Sequence, residues 1–536
     1  MSLNGTTHDV IVVGAGPVGM TSAILLAARG LTVLVVEKNA GTANDPKAIS
    51  LDDESLRAYA QAGIAEKILG VVVPGTGTSY YDADGERLFH AGAPQPFRYG
   101  FPFKNPFAQP DLEKVLAAAL AEHPKVTVAY STELLDFEQD ADRVSATISD
   151  AQGKRRVGAH FLLGADGGRS RVRAILDIGM TGRSHPEVWL VIDTLHDGHV
   201  ERYGMHHGDP KRPHVIVPGL DGRCRYEFYT YPGECDPAEA PSLELIQDLL
   251  RPYRTITTQE VERAVAYRFH GLAADAWQSG RAFLLGDAAH MMPPFAGQGL
   301  NSGIRDAVNL TWKIAAVVQG ESDAAVLESY EAERRPHAEA VIRSSERLGR
   351  VVMTTNPRIA RFRDDVVKRA LATAEGRAFF EQMRYRPSAR IQTGLVSDPA
   401  ASPLVGLPLA QPTVFSLGRR QQVPLDQLLG TGWSLIGVGL DAEAWTDARR
   451  SAAELNPSLI DVPLDDTQSR PGEGIAVAID LDTTLVRELA PARGCFVLVR
   501  PDRVVALVAH PRGFAASIAD LLSRIRPRVV VSALAS

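Results

Sequence analysis

The chain has 536 residues, 45% of them hydrophobic and 23% charged, with 57 Lys and Arg against 64 Asp and Glu for a net charge of −7. That length exceeds a single core and predicts two or three domains, while the mixed charge, without a basic stripe, argues against nucleic acid as a partner. Three cysteines, Cys224, Cys235 and Cys495, form no CxxC pair and have no histidines at ligand spacing, which argues against a metal site and fits a reducing, cytoplasmic compartment.

The start, "MSLNGTTHDVIVVGAG", has neither a basic n-region nor a cleavage site, so it reads as a strand running into a turn and not as a signal peptide. No run of about 20 apolar residues predicts a membrane span. From His8 to Asn39, "VIVV" predicts a buried strand, "PVGMTSAILLAARG" a helix stopped by Gly30, and "LTVLVVE" a second buried strand. Strand, helix and strand within about 30 residues make a βαβ unit. Asp52–Leu69 predicts one amphipathic helix and Gln109–His123 another, with loops and short strands over 71–103 between them. Residues 125–167 alternate as antiparallel strands do, and 180–270 stay β-like around one helix near "LELIQDLLRPY". "RAFLLGDAAH" returns to the buried-strand pattern and is followed by three helices. Proline and glycine thicken near 386–425, a candidate linker, and the remainder is long enough for a small α/β domain.

Three stretches carry chemistry. In the first, Gly14 permits a tight turn, Gly16 lets a pyrophosphate approach the backbone, and Gly19 allows close packing of helix on strand. The helix N-terminus offers free N–H groups to the phosphates. Glu37, 18 residues past Gly19, ends the second strand, where its carboxylate suits a ribose diol. That acid disfavours a 2′-phosphate, so FAD or NAD(H) is preferred at this turn. In the second, "LLGADGGRSRVR", Asp166 and two glycines suit a turn against a nucleotide, and the arginines are candidates to neutralise phosphates. In the third, "GDAAHMMPPFAGQGLNSGIRDAVN", Asp287 sits at a strand's C-terminal end, where ligands lie in open α/β sheets. Gly297–Gly303 then bares the backbone ahead of a helix, as contact with a large planar polar ligand requires.

In this order the three stretches resemble the single-component FAD-dependent aromatic hydroxylases of the para-hydroxybenzoate hydroxylase type. "KAISLDDESLRAYAQAGI", "KNPFAQPDLE" and "RYEFYTYPGE" are similar to 3-(3-hydroxyphenyl)propionate hydroxylases. The resemblance implies an α/β fold: a Rossmann-like FAD-binding domain (1–180 and 270–385), an inserted mixed β-sheet substrate domain (70–105 and 181–269), and a C-terminal thioredoxin-like α/β domain (386–536). It implies one FAD, reduced by NADH or NADPH without a separate nicotinamide domain. The reduced flavin then uses O2, as a C4a-hydroperoxide, to hydroxylate a small phenolic acid. A polyketide or antibiotic-type substrate of several rings stays open as an alternative, as does a flavoprotein that hydroxylates nothing. The relatives imply a homodimer.

By motif, the resemblance assigns Gly14, Gly16, Gly19 and Glu37 to the ADP half of FAD, and Asp287 to its ribityl or pyrophosphate region. Pro294, Gly297, Gly299, Leu300 and Asn301 are assigned to the flavin ring. Gln109 and Asp166 match residues that contact FAD, and the carbonyls of Pro293 and Pro294 are expected near the reacting carbon. Lys47 stands where many relatives have arginine; it keeps the charge and loses the bidentate fork. The phenol needs a base, for which His290 and Tyr226 are candidates beside their structural reading. His214 and Tyr267 are candidates by position to line the substrate, and Arg225 to pair with its carboxylate. The C-terminal domain has only Cys495, which excludes disulfide exchange and leaves packing or dimer contact as its role.

Overall fold

The computed structural model describes residues 7–42, 47–464 and 472–525. The first six residues of the strand-not-leader reading lie outside them. Strand Thr7–Val13 runs parallel to Val33–Val36 on one side and to Gly153–Gly164 on the other. Val126–Ala129 and Ala282–Leu284 extend this parallel core outward. Its central strands are apolar on both faces because helices cover both, the pattern expected of parallel sheets. Helix Pro17–Ala28 is buried almost all round, since helices Gln109–Glu122 and Gly299–Val318 pack over it. An antiparallel hairpin, Glu133–Gln139 and Val144–Asp150, extends the sheet through Gly153–Gly164.

A second sheet of eight strands runs in the order His290–Met291, Val261–Ala274, Met180–Thr194, Cys224–Thr230, His214–Pro218, Tyr203–His207, Gly77–Tyr81, Arg87–Ala91. All pairs are antiparallel except Tyr203–His207 with Gly77–Tyr81, so the sheet is mixed. Its edge strand His290–Met291 belongs to the glycine-rich junction, which places that junction against this sheet. A third sheet of seven strands, from Thr413 to Ala509, has a parallel centre (Ser434–Val438, Ser458–Val462, Ala476–Asp480) and an antiparallel hairpin, Phe496–Val499 with Val505–Ala509, as thioredoxin-like domains do.

Two local expectations differ from the structure. The helix predicted over Asp52–Leu69 is two, Asp53–Gln61 and Ala65–Leu69, because Gly63 turns the chain at φ +75°. The proline- and glycine-rich stretch expected to be a linker is packed: Ile391, Val396, Leu404, Val405 and Leu409 are buried in the C-terminal core.

The C-terminal domain is joined to the first by buried charge. Glu333, on helix Ser329–Val352, accepts Arg500 Nη1 and Nη2 at 2.8 Å each, Lys313 Nζ at 2.8 Å, Asn309 Nδ2 at 2.7 Å and the Leu395 N–H at 2.8 Å. Arg500 also pairs with Asp502. Burial opposes charge on Glu333, but Arg500 and Lys313 hold its carboxyl well below the usual glutamate range. Breaking such a cluster leaves buried cations uncompensated. Glu333→Ala should therefore cost about 3–5 kcal/mol in urea unfolding at neutral pH. Because the folded carboxyl is shifted down, its contribution is whole above about pH 4.3 and fades as pH falls further. The gap between wild type and Glu333→Ala should narrow only on acidification.

Candidate functional site

The first glycine turn shows three different uses of the missing side chain. Gly14 has φ +101°, and a Cβ there would lie 2.5 Å from the Ala165 carbonyl oxygen. A Cβ on Gly19 would lie 2.0 Å from the Gly14 carbonyl oxygen, so helix Pro17–Ala28 can sit this close to the strand only with glycine. Gly16 is the opposite case: nothing lies within 4 Å of its would-be Cβ. It is the N-cap of a helix whose first turn has no side-chain cap, so these N–H groups are left for a ligand or water beside open space. Glu37 follows strand Val33–Val36; its Oε2 accepts the Ala15 N–H at 2.8 Å and its Oε1 accepts Asn39 N and Nδ2 at 2.9 and 2.7 Å.

In the second stretch Asp166 Oδ2 accepts the N–H groups of Arg171 (2.6 Å) and Val172 (3.1 Å), fixing the start of helix Arg171–Ile175. Two of the three arginines expected near phosphate are otherwise engaged, and Arg169 is exposed. Arg173 donates to the carbonyls of Ala288 (2.9 Å) and Gly168 (2.8 Å), tying the second stretch to the third, and Arg171 donates to Leu135 O. Carbonyls left without a backbone donor need one from elsewhere, and these guanidinium groups supply it.

The third stretch leaves strand Ala282–Leu284 at Gly286. The Asp287 side chain is open to solvent, yet protein surrounds it closely enough for desolvation to push its carboxyl up, with His290 and Lys47 opposing. Such a group lies in a cleft. Pro293 is buried and Pro294 half-buried. Gly297 adopts φ +61°, and would-be Cβ atoms on Gly297 and Gly299 meet nothing within 4 Å. Helix Gly299–Val318 starts there, again without a side-chain cap, and Leu300 is half-buried beside it. Gly303 serves packing: a Cβ would lie 2.5 Å from Val18 Cγ2. Asn301 is fully engaged, donating to Ser50 O (3.0 Å) and Gly297 O (2.8 Å) and accepting from Asp52 N (3.0 Å) and Ser55 Oγ (2.8 Å).

His290 is not placed for proton transfer to a substrate. It is fully buried, with Nε2 2.6 Å from Asp306 Oδ2 and its ring against Trp277 at 5.0 Å. Asp306 also accepts the Gly286 N–H (3.2 Å) and Arg334 Nε (3.0 Å). Burial works against charge on Asp306, while His290 and Arg334 hold its carboxyl below the ordinary range. The cluster pins the loop to two helices.

Period-two alternation sorts the substrate candidates. Arg225 and Tyr267 lie on the face of the second sheet that carries Trp189, Tyr229 and Phe269, which pack with Phe295 of the third stretch. Tyr226 and His214 lie on the other face, under helix Leu243–Leu250. Tyr226 donates to Asp197 Oδ2 at 2.9 Å, and His214 stacks on His207 and meets Tyr253. The structure therefore separates these two from the cleft. Asp197, His199 and Cys224 stand close enough to ligate a cation, but Arg254 already pairs with Asp197 at 3.1 Å. Arg225 is on the cleft side and committed: Nε and Nη2 reach Asp193 at 2.7 and 3.0 Å, and Nη1 reaches Lys47 O at 2.8 Å. Tyr267 receives a hydrogen bond from Arg263 at 2.6 Å. Lys47 is exposed, and Gln109 accepts the Ala48 N–H at 2.7 Å, holding that segment.

Three residues on the cleft side were not singled out in the sequence: Glu227, His206 and Lys104. Glu227 shares the alternation that marks Arg225, a signal present in "CRYEFYT" once the inward face is known. Lys104 follows no periodic pattern.

A glycine-lined opening, two uncapped helix N-termini, an acid after the second strand and an acid in the cleft suit a flavin dinucleotide. The fold and site are those of an FAD-dependent monooxygenase. Residues 7–345 match the FAD binding domain family and residues 406–524 the HcaD C-terminal domain family. A 3-(3-hydroxy-phenyl)propionate/3-hydroxycinnamic acid hydroxylase of Mycolicibacterium smegmatis is 37% identical over 80% of this chain and 76% of its own. A second protein of that name, from Burkholderia vietnamiensis, is 33% identical over 96% of this chain and 95% of its own. Among solved structures, the flavin-dependent monooxygenase PieE superposes with TM-score 0.78 at 22% identity over 97% of this chain and 99% of that one. Aklavinone-11 hydroxylase gives 0.76 at 23% identity over 98% and 100%. The chain belongs to the FAD-binding family of aromatic hydroxylases, with FAD as cofactor and NAD(P)H as electron donor. Among the described residues no helix is long and apolar enough to cross a membrane.

The glycines give a paired prediction. Gly16→Val, at φ −75° and facing open space, should leave the unfolding midpoint near wild type and lower FAD affinity by at least about tenfold, roughly one charge-assisted hydrogen bond. Gly19→Ala, pressed against backbone, should lower the unfolding midpoint itself. Flavin content after gel filtration and thermal unfolding of the apoprotein separate the two effects.

Proposed function

We propose that this enzyme hydroxylates a single-ring phenol bearing a short carboxylate side chain, of the 3-(3-hydroxyphenyl)propionate type, with NADH or NADPH and O2 as co-substrates. The observation that carries this reading is the joining of two surfaces. The loop whose backbone is left bare at Gly297 and Gly299 also carries Phe295, which packs against the aromatic face of Trp189, Phe269 and Tyr229. Bound FAD supplies the chemistry of accepting a hydride and activating O2 for transfer of one atom to the ring.

In this reading Gly14, Gly16, Gly19 and Glu37 hold the ADP half, and Lys47 and Asp287 lie along the pyrophosphate and ribityl chain. Asp166 and Gln109 act by fixing the turn and segment that face the cofactor. Pro294, Gly297, Gly299 and Leu300 face the flavin, Asn301 anchors that loop, and the carbonyls of Pro293 and Pro294 orient the ring carbon that reacts. The aromatic cluster excludes water from the reacting atoms. It also fills much of the face, with Trp189 and Phe269 centroids 6.0 Å apart and Phe295 5.6 Å from each. That favours one ring over the multi-ring alternative. The free cysteines support a cytoplasmic location.

The expected result is that oxygen uptake with NADH rises on addition of 3-(3-hydroxyphenyl)propionate and that ring-hydroxylated product matches the NADH consumed. Peroxide in place of product across phenols with side chains of zero to three carbons would sink the reading.

A further inference from the structure

We propose that Lys104 and His206 form the subsite that receives the carboxylate of the aromatic substrate. The inference rests on the function proposed above and adds which residues read the acid. His206 lies on strand Tyr203–His207, in register with Tyr80 on one neighbour and Val215 on the other. Val215 belongs to the aromatic cluster of Trp189, Phe269 and Phe295, so His206 borders that cluster on the cleft side. Its ring stacks on Tyr80 at 4.9 Å. Lys104 reaches this end from the segment before strand Asn105–Pro106, with backbone at φ +55°. The guanidinium of Arg386 sits nearby over the Phe103 ring at 4.7 Å.

Both side chains are buried, at 9% exposure for Lys104 and 8% for His206. Among the described residues no hydrogen bond or ion pair forms to either side chain, and none of their side-chain nitrogens is among the polar atoms sealed from solvent. Two neighbouring buried basic groups without a partner, each with its nitrogens still in reach of solvent, lack an anion. The electrostatics agree. Desolvation, with Arg386 acting in the same direction and Asp52 against it, lowers the Lys104 ammonium to about 7. Desolvation and the neighbouring Lys104 and His207 push His206 well below its usual value. A bound carboxylate adds a Coulombic attraction that opposes these effects and restores charge to the lysine.

Among the described residues no protein acid does so. Asp52 is engaged with Arg305 and caps the next helix. Glu227 lies on the same transverse row as His206, with Val215 between; two strand spacings put it roughly 10 Å away. Desolvation raises the Glu227 carboxyl, with Arg225 opposing at 3.8 Å. The row thus has a basic end and an acidic end, separated by a distance comparable with the length of a phenol carrying a three-carbon acid. It orients that substrate with its carboxylate toward Lys104. Arg225, the residue expected to hold the acid, is committed to Asp193 and cannot do so without breaking that pair.

The test compares 3-(3-hydroxyphenyl)propionate with its primary amide on the FAD-loaded full chain, reading Kd from perturbation of the flavin absorbance. Wild type should bind the acid more tightly than the amide. Lys104→Met should reduce that preference by about 10- to 100-fold, the range of a charge-assisted hydrogen bond. Lys104→Arg should keep most of it, and His206→Gln should lower it to a lesser degree. Equal weakening of acid and amide, or a selective rise in KM for NADH or loss of FAD in Lys104→Met, would overturn the assignment, the latter two by giving the anion another source. Should the variants fail to fold, the wild type alone decides: no preference for the acid refutes the subsite. If neither compound stimulates NADH oxidation, the proposed function fails. If the acid stimulates and Lys104→Met keeps its preference, only the subsite fails.

Discussion

A loop bared at Gly297 and Gly299 has little of its own to pack beyond Phe295, and the structure resolves this through the Asp306 carboxylate. One buried acid accepts from His290, from the Gly286 N–H and from Arg334, and so joins the end of strand Ala282–Leu284 to helices Gly299–Val318 and Ser329–Val352. Without that junction the backbone around Gly297 and Gly299 would pay the full conformational entropy of glycine, with no contact to offset it. The Asn301 amide does similar work at the helix start, binding Ser50, Asp52 and Ser55 from the segment that leads to Lys47. Arg173 completes the frame by bridging the Asp166 turn to Ala288. These bonds hold the bared backbone in one arrangement, the preorganisation that a planar ligand held by main-chain groups requires.

The same economy explains why the C-terminal domain is part of the catalytic body. Glu333 shares helix Ser329–Val352 with Arg334, the partner of Asp306. One residue faces Arg500 of the thioredoxin-like domain and the next faces the loop junction. The helix cannot shift to relax one contact without straining the other. With Cys495 as its sole cysteine and no partner thiol, the domain contributes packing and not exchange chemistry.

Much of the cofactor half was legible in the sequence, because glycine, an acid at a strand end and a helix start leave a local signature. Gly14, Gly16 and Gly19 take the three roles their spacing implies, one a turn, one an opening and one a close contact. Reading His290 and Arg173 was harder. Each has chemistry that fits a ligand, and each is instead a partner of protein groups, Asp306 for one and two carbonyls for the other. These partners are 16 residues away in the Asp306 bond and 115 in the Ala288 bond, separations no local pattern reports. The break at Gly63 and the buried Ile391–Leu409 segment were missed for a related reason: glycine and proline mark a change of direction, not whether the turned chain is exposed.

The substrate half was less legible because a single step along a strand reverses its meaning. "CRYEFYT" alternates basic, aromatic and acidic residues, and both faces read as chemically plausible. Tyr226 and Phe228 turn toward helix Leu243–Leu250, whereas Arg225, Glu227 and Tyr229 turn toward the cleft. What decides between the faces is the apolar stripe of that helix, Ile246, Leu249 and Leu250, which must be covered and draws the aromatic residues to it. The polar residues left on the cleft side then sort by partner. Arg225 finds Asp193 and becomes structural, while Lys104 and His206, arriving from distant segments, find no acid. An enzyme that must recognise an anion gains by leaving basic groups short of partners where burial disfavours their charge. The cost of that arrangement is borne by the surrounding packing until the substrate supplies the missing charge.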